Sequence, residues 1–335
     1  MTSPASASLA LPILDAELEG RLRRRLVEVE VELESAVQSE ASFVTEAAQH
    51  LLRAGGKRFR PLLVLLAAET GDPGADGIVT AACVVELTHL GSLYHDDVMD
   101  EAAIRRGADS ANARWDNHVA ILTGDLLFAR SSELTARLGA DAVRIQAETF
   151  GRLVEGQILE TVGVEGSADA LDHYLRVVAG KTGSLIATSA RYGARFAGAP
   201  LEVEEALTAY GEKIGAAFQL SDDILDVASD SDESGKTPGT DLREGVDTLP
   251  TLLAKRSTDP ADARLLELLA ADLSDDSLHA EALDLLRKHP AMDEARAYVL
   301  ERAREAQQLL TVLPDGSPVR EALDAFADIV ATRTA

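Results

Sequence analysis

Apolar residues recur at intervals of three and four along almost the whole chain, whereas strict alternation of apolar and polar residues is rare. The first spacing places apolar side chains on one face of an α-helix, and alternation would instead indicate strands. Alanine, leucine, glutamate and arginine, which favour helices, dominate these segments. The pattern predicts helices at about 14–38, 41–53, 61–70, 77–100, 114–138, 141–163, 168–179, 183–197, 200–227, 248–256, 260–272, 276–288, 291–312 and 317–333.

Short breaks rich in glycine and proline separate the predicted helices. They fall at Gly71–Gly74, at 163–167, at 229–245 and near Pro290 and Pro314. Long helices joined by short loops, without a linker, indicate one all-α bundle whose central helices surround a cavity. We therefore expect a single domain at 14–335, a flexible N-terminus at 1–13 and partial disorder in the 229–245 loop.

Charge and cysteine content narrow the class of protein. The net charge of −25, from 57 acidic and 32 basic residues, argues against nucleic acid or anionic lipid as a main partner. Apolar runs such as Leu62–Ala68 are far shorter than the ~18 residues of a membrane span. The N-terminus has no basic segment typical of a signal peptide. Cys83 is the single cysteine of the sequence, which excludes an internal disulfide. We expect a soluble cytoplasmic protein.

An aspartate cluster ends a long apolar predicted helix, which begins near Ile78. Asp96 and Asp100 are four residues apart and share one helical face, with Asp97 beside them. Like charges at this spacing cost roughly 0.2–0.5 kcal/mol per pair, and more where water is scarce. A core helix that carries three carboxylates therefore predicts a cation that neutralises them.

A second aspartate cluster repeats this arrangement, because Asp222, Asp223 and Asp226 also follow an apolar helical run. One acidic cluster alone is usually a solvated surface, but two matched clusters are not explained in that way. Carboxylates without paired histidine or cysteine suit a hard cation. Mg²⁺ is the first choice, with Mn²⁺ as an alternative, since Mg²⁺ binds one or two carboxylates and completes its shell with water and substrate phosphates.

Basic motifs that suit phosphate accompany the aspartates. The segment Gly55–Pro61 places Lys57, Arg58 and Arg60 after a glycine pair, at the start of a helix whose N–H groups and dipole favour an anion. Arginine can also bind phosphate through two parallel hydrogen bonds. Further basic motifs are Arg105-Arg106-Gly107, Lys181-Thr182-Gly183 and Gly235-Lys236.

Each of these features also has an ordinary structural explanation. Gly55–Pro61 would serve as a solvated loop, and Arg105-Arg106 would complement a helix C-terminus. His89 alone is typical of a hydrogen-bonded core histidine. The acidic run at 230–235 resembles the start of a calcium loop, but that loop requires glutamate at its twelfth position, where Asp241 stands. Only the combination of motifs favours a phosphate site.

Taken together, the motifs resemble those of the trans-polyprenyl diphosphate synthases, in order and in spacing, from residue 40 onward. The segments that carry the resemblance are GGKRFRP at 55–61, HLGSLYHDDVMDEAAIRRG at 89–107, KTG at 181–183, FQLSDDILD at 218–226 and GKTPGTDLREG at 235–245. The chain resembles most the bacterial enzymes that make the long side chains of quinones.

The resemblance implies an isoprenoid-synthase-type helical bundle around a deep central cavity, usually as a homodimer. It also implies head-to-tail condensation of an allylic diphosphate, of farnesyl or geranylgeranyl type, with isopentenyl diphosphate in the presence of Mg²⁺. Magnesium and basic side chains would stabilise the departing diphosphate, and an apolar cavity would shield the carbocation from water. The released diphosphate would accept the proton, so that no side chain acts as a general base.

The resemblance assigns roles residue by residue. The magnesium ligands are Asp96, Asp100 and Asp222, supported by Asp97, Asp223 and Asp226. The isopentenyl diphosphate site comprises Lys57, Arg60, His89 and Arg106. The allylic diphosphate site comprises Arg105, Lys181, Thr182, Gln219 and Lys236. The expected catalytic residues are Asp96, Asp100, Lys181 and Asp222. Relatives often have a lysine after the glycine that corresponds to Gly245, where this chain has Val246-Asp247, and Arg243 is the nearest replacement.

The helix before Asp96 is expected to set the length of the product. Gly91 and Ser92, one turn before Asp96, would lie on the cavity wall, where relatives with short products carry an aromatic residue. Both are small here, so we expect an open tunnel and a product from hexaprenyl to nonaprenyl diphosphate. The other explanation of Gly91 and Ser92 is close helix packing.

Four alternatives remain at this stage. The first is a short-chain farnesyl or geranylgeranyl diphosphate synthase. A non-catalytic partner subunit would have eroded aspartates, and a class I terpene cyclase would lack the Gly-Gly-Lys-x-x-Arg segment. An acidic helical scaffold would explain the composition but not the ordered basic motifs.

Overall fold

The computed structural model describes Leu9 and residues 13–166, 168–229 and 238–333. The helices of its first half are α1 (Ala16–Ala36), α2 (Ser42–Arg53), α3 (Phe59–Ala68), α4 (Ile78–Met99), α5 (Ala111–Arg114), α6 (Asn117–Arg137) and α7 (Ala140–Val162). Those of its second half are α8 (Ala170–Val178), α9 (Ser184–Phe196), α10 (Leu201–Ala228), α11 (Thr240–Glu244), α12 (Leu249–Ala254), α13 (Ala263–Leu269), α14 (Asp276–Lys288), α15 (Ala291–Leu309) and α16 (Pro318–Thr332).

Shorter elements complete the chain. Ala179–Gly183 forms a π-helical turn, and Pro260–Asp262 and Leu310–Val312 form 3₁₀ turns. Strands β1 (Ile104–Arg105) and β2 (Ala108–Asp109) pair antiparallel, with Ile104 opposite Asp109. The all-α class is thereby confirmed.

The first compact unit comprises Met1–Gly151, Leu185–Gly211 and Leu310–Leu323. Helix α4 lies at its centre and packs against α1, α3 and α6. Helix α3 is buried from Pro61 to Ala68. Gly193 of α9 permits a close approach to α3, since a Cβ there would lie 2.1 Å from the Val64 carbonyl oxygen. The near-continuous apolar sequences of α3 and α4 follow from this burial on all sides.

The second compact unit comprises Arg152–Ser184, Glu212–Leu309 and Asp324–Ala335. Helix α12 is buried along its whole length and packs against α8 and α15. The Thr248 hydroxyl and the Thr251 side chain form a capping box at its start, which satisfies N–H groups that would otherwise be buried without partners.

The predicted helices match the structure except at a few boundaries. The helix predicted at 114–138 begins later, at Asn117, because the Asp116 side chain accepts from the Val119 N–H at 2.8 Å and caps α6 there. Helix α11 lies inside the predicted 229–245 loop, and the β1–β2 hairpin was not predicted. Residues 1–8, 10–12 and 230–237 lie outside the described residues, so the expected flexibility of these segments stays a prediction, as does the single domain.

No helix in the described part of the chain is long and apolar enough to cross a membrane.

Candidate active site

The first aspartate motif lies on the last turn of α4. The Asp100 N–H donates to the Asp96 carbonyl at 2.8 Å, so the two residues are stacked on one face, as their spacing predicts. Asp96 is partly buried and Asp100 is exposed. Their carboxylates therefore stand at an accessible end of an otherwise buried helix.

Asp97, between them, is turned inward. Its side chain is 0% exposed, and the Arg105 Nε donates to its Oδ1 at 2.6 Å. Burial raises the pKa of Asp97, and the Arg105 guanidinium opposes that rise. The Asp97 Oδ2 is buried with no partner among the described residues. This geometry favours Asp97 as an anchor for the hairpin, and its role as a metal ligand stays a prediction.

The hairpin sends two adjacent arginines in different directions. Arg106 and Gly107 form its two-residue turn with φ of +54° and +76°, a turn that suits the twist of the paired strands. Arg105 thereby faces Asp97, while Arg106 donates to the carbonyls of Leu51, at 3.2 Å, and Gly55. Gly56 has φ of +143°, which favours glycine, and a Cβ there would lie 2.9 Å from the Arg106 guanidinium.

Arg60, His89 and Arg106 form a cationic cluster in the first unit. Burial lowers the pKa of Arg60 to about 10; Glu86 opposes that change and Arg106 adds to it. Burial, and then the positive charges of Arg60 and Arg106, lower the pKa of His89 well below its usual value, so the imidazole is neutral at pH 7. The Arg60 Nε is buried and has no partner within the described residues. Such a cluster gains stability from a bound anion.

The second aspartate motif lies at the end of α10. Asp222 is exposed, and the Arg333 Nη1 lies 3.0 Å from its Oδ1. The Arg333 guanidinium also lies 4.1 Å over the Phe218 ring. The Asp226 carboxylate accepts the N–H groups of Thr240 and Asp241, each at 3.2 Å, so it caps the start of α11.

Asp223 is the buried counterpart of Asp97 in this second motif. Tyr174 donates to its Oδ2 and the Gln219 amide donates to its Oδ1 at 3.2 Å. Burial, and then the charge of Asp241, raise the pKa of Asp223 well above its usual value. The middle aspartate of each motif is thus buried and bonded within its own unit. Sequence reasoning missed Tyr174, which looks like an ordinary aromatic residue on an apolar face.

The π-helical turn before α9 places Lys181 and Thr182. A Cβ on Gly156 would lie 2.6 Å from the Lys181 N, so glycine is needed for this crossing. The Lys181 Nζ lies 2.6 Å from the Glu160 Oε2, and the Thr182 hydroxyl donates to the Gln219 Oε1 at 3.2 Å. Thr182 is thus linked to Asp223 through Gln219, with Lys181 beside it in the turn, and π turns often occur at functional sites.

The remaining predicted site residues are dispersed. Lys57 is exposed in the loop before α3, and Lys236 lies outside the described residues. Arg243 pairs with Asp276 at 2.8 Å and contacts the His279 Nδ1 at 3.2 Å, so its side chain is engaged by α14. Asp247, which follows Val246, pairs with Lys255.

Gly91 and Ser92 differ in their surroundings. Gly91 is buried, and a Cβ there would lie 2.9 Å from Cε1 of Phe128 on α6. The Phe128 ring in turn lies 4.6 Å from the Phe150 ring, between centroids. The Ser92 hydroxyl donates to the His89 carbonyl at 2.8 Å. Gly91 therefore packs closely against Phe128 of α6, and the wall positions of Gly91 and Ser92 both stay predictions.

The accessible aspartates offer oxygen donors only, which fits a hard divalent cation. Within 13–166, 168–229 and 238–333, no three side chains of aspartate, glutamate, histidine or cysteine stand close enough to bind a metal ion by themselves. One or two carboxylates suffice for Mg²⁺ when water and substrate phosphates supply its other ligands.

The protein is helical, carries aspartates at the ends of two helices, and contains a cluster of partly buried arginines. These features are typical of an enzyme that acts on diphosphates. The chain belongs to the polyprenyl synthetase family, whose sequence profile matches residues 41–286. It is 47% identical over 334 residues to the nonaprenyl diphosphate synthase of Mycobacterium tuberculosis, covering 99% of both chains. It is 33% identical to the octaprenyl diphosphate synthase of Escherichia coli, covering 89% of this chain and 92% of that one.

Solved structures agree with this membership. A geranylgeranyl pyrophosphate synthase of Corynebacterium glutamicum, complexed with calcium and isoprenyl diphosphate, matches with a TM-score of 0.87 and 45% identity, over 97% of this chain and 99% of that one. A decaprenyl diphosphate synthase of Rhodobacter capsulatus matches with a TM-score of 0.86 and 35% identity, over 95% and 99%. The resemblance, the isoprenoid-synthase-type fold and the prenyltransferase class are confirmed, and enzymes of this family use a divalent metal ion.

Proposed function

We propose that this protein condenses an allylic diphosphate with isopentenyl diphosphate, in the presence of Mg²⁺, to an all-trans polyprenyl diphosphate from hexaprenyl to nonaprenyl. The observation that carries this proposal is the division of each aspartate motif, where one carboxylate is buried and bonded while its neighbours stay accessible. The similarity to nonaprenyl and octaprenyl diphosphate synthases supports the long product.

The reaction breaks the C1–O bond of the allylic substrate and releases diphosphate. The double bond of isopentenyl diphosphate attacks the allylic C1, and a proton leaves C2 of the isopentenyl unit to the diphosphate, which restores a double bond. Mg²⁺, held by Asp96, Asp100 and Asp222, would supply Lewis acidity toward the leaving group. Lys181, Thr182 and Gln219 would orient that diphosphate, together with Arg105 and Lys236.

The cationic cluster would hold the second substrate. Arg60 and Arg106 are positive and partly desolvated, so a diphosphate between them gains more than it would in water. The neutral imidazole of His89 adds a hydrogen bond without a third positive charge. Lys57, in the exposed loop, completes the set.

The direct test is incubation of the purified chain with radiolabelled isopentenyl diphosphate and farnesyl diphosphate, with and without Mg²⁺. We expect metal-dependent incorporation and a product longer than geranylgeranyl diphosphate by thin-layer chromatography. An intact helical protein that incorporates no label would contradict the enzymatic proposal. Parallel assays with Mn²⁺ and with geranylgeranyl diphosphate define the metal and the primer.

A second candidate is synthesis of geranylgeranyl diphosphate. It is favoured by the Phe128 ring against Gly91 and by the 45% identity to the Corynebacterium geranylgeranyl pyrophosphate synthase. The same assay separates the two candidates, since a wild-type product that stops at geranylgeranyl length would overturn the long-chain proposal.

Ser92→Phe is expected to shorten the product while the first condensations stay fast. The residue lies about one turn, or about 5.4 Å, before Asp96, so an aromatic side chain would add bulk beside the growing chain. Product length is read by chromatography of labelled products. Ser132→Phe is a matched control, because Ser132 is exposed on α6. An unchanged product in Ser92→Phe would contradict a wall position for this residue.

We further propose that the enzyme is a cytoplasmic homodimer of one domain that serves quinone biosynthesis. The apolar side chains of Ile121 and Leu122 on α6 are 42% and 67% exposed, which suits a partner surface. Light scattering of the eluted protein gives the mass of the assembly directly.

A further inference from the structure

The turn between α2 and α3 depends on Arg58, a basic residue of the Gly55–Pro61 motif for which the proposed mechanism has no role. Arg58 has φ of +48° and ψ of +36°, a left-handed conformation that costs a residue with a side chain roughly 1–2 kcal/mol. Contacts elsewhere must offset this cost. They are made by the Arg58 guanidinium, which points into the first unit and is only 10% exposed.

Two carboxylates hold that guanidinium. Glu30 of α1 accepts from its Nε at 2.5 Å and from its Nη2 at 3.2 Å, as a fork. Glu86 of α4, itself 2% exposed, accepts from its Nη1 at 3.0 Å. Burial lowers the pKa of Arg58, but the two carboxylates more than offset it and the pKa is raised. The planar fork of arginine suits these partners, and lysine could not reproduce it.

The same side chain meets the end of α2. The Arg58 Nη2 donates to the Leu52 carbonyl at 2.8 Å and its Nη1 to the Gly55 carbonyl at 3.4 Å. Arg106 donates to that same Gly55 carbonyl and to Leu51. Both arginines therefore donate to carbonyls of the turn at the end of α2. Arg58 belongs to the same chain segment as that turn, and Arg106 belongs to the β1–β2 hairpin.

Charge links Arg58 to the diphosphate cluster as well. Glu86 acts favourably on the charged forms of Arg58, Arg60 and Arg106. His89 follows Glu86 by three residues on α4, on the same side of the helix. A buried carboxylate paired with Arg58 thus also interacts favourably with Arg60 and Arg106, which are assigned to isopentenyl diphosphate.

We propose that Arg58, held by Glu30 and Glu86, is a positioning residue for isopentenyl diphosphate. It sets the turn that carries Lys57 and Arg60 and holds the Gly55 carbonyl that orients Arg106, without touching the diphosphate. This inference rests on the proposed function and deepens it, because it divides the basic residues of one motif into two that bind and one that positions.

The decisive variant is Arg58→Gly, because glycine adopts φ of +48° without strain and only the contacts of the side chain are lost. We expect the Michaelis constant for isopentenyl diphosphate to rise about tenfold, while the constant for farnesyl diphosphate and kcat stay within about twofold. Arg58→Lys should recover little, since it lacks the fork. An unchanged constant for isopentenyl diphosphate, or an equal rise for both substrates, would overturn the proposal.

Arg53→Ala is the matched control for loss of positive charge, because Arg53 is exposed at the end of α2. We expect both Michaelis constants to stay within about twofold of wild type. A rise for isopentenyl diphosphate equal to that of Arg58→Gly would mean that net charge, and not positioning, is responsible, and would overturn the proposal.

Glu30→Gln tests the same inference in a chain that keeps Arg58. It removes the charged fork partner at a half-buried site, so the fold is expected to survive. We expect a rise of about threefold in the Michaelis constant for isopentenyl diphosphate, and no additional rise in the double variant with Arg58→Gly. Additive effects would refute the inference, as would an unchanged constant in Glu30→Gln if Arg58→Gly fails to fold. A wild-type enzyme without condensation activity would instead refute the proposed function.

Discussion

Replacement of Asp96 or Asp222 by alanine is expected to lower turnover by about three orders of magnitude and to leave the helical circular dichroism unchanged. Loss of one preorganised electrostatic group at a site of developing charge typically costs about 10²–10³ in rate, and a metal ligand carries at least that much. Asp222 is exposed and Asp96 only partly buried, so neither variant leaves a cavity in the core. Steady-state turnover with both substrates saturating is the measurement.

The adjacent buried aspartate is the informative comparison. Asp97→Ala removes the buried carboxylate that accepts from the Arg105 Nε, so it should lower the unfolding temperature, which Asp96→Ala should not. Asp284 forms an exposed ion pair with Lys288, so Asp284→Ala should change neither turnover nor the unfolding temperature. Near-normal turnover in Asp96→Ala or Asp222→Ala would contradict the metal assignment.

Arg60→Ala is expected to raise the Michaelis constant for isopentenyl diphosphate by about two orders of magnitude, and Lys181→Ala should do the same for the allylic substrate. A charge-assisted hydrogen bond contributes about 1.5–3 kcal/mol, which corresponds to roughly tenfold to a hundredfold per bond. Arg60 belongs to the cluster with His89, whereas Lys181 lies beside Glu160. Initial rates with each substrate varied in turn measure the two constants.

Lys213 provides a matched control for Lys181. Its Nζ pairs with Glu305 at 2.7 Å, much as Lys181 pairs with Glu160 at 2.6 Å, but no site role falls on it. Lys213→Ala should leave both Michaelis constants unchanged. If Arg60→Ala and Lys181→Ala weakened the two substrates equally, the division of the basic residues between two diphosphates would be wrong.

Much of the local structure follows from the sequence because it depends on short-range rules. Periodicity of three and four places the helices, and the spacing of Asp96 and Asp100 puts both on one face without any tertiary information. The same holds for helix starts with a capping side chain, such as Asp169, which accepts the N–H groups of Leu171 and Asp172. The family and its chemistry follow as well, since ordered motifs carry them.

Only the tertiary structure decided which members of each motif face inward. The sequence presents Asp96-Asp97 and Asp222-Asp223 as equivalent carboxylates, and their division depends on partners that are remote in the chain, such as Tyr174 for Asp223. In the same way, Arg58 and Arg60 are equivalent basic residues in the sequence. In the structure Glu30 and Glu86 accept hydrogen bonds from Arg58. From the sequence, Gly91 suggests free space beside α4, but the Phe128 ring lies where a side chain at this position would be. Burial and pairing arise from packing between distant segments, whereas periodicity arises within one helix, and this difference separates what the sequence determines from what it does not.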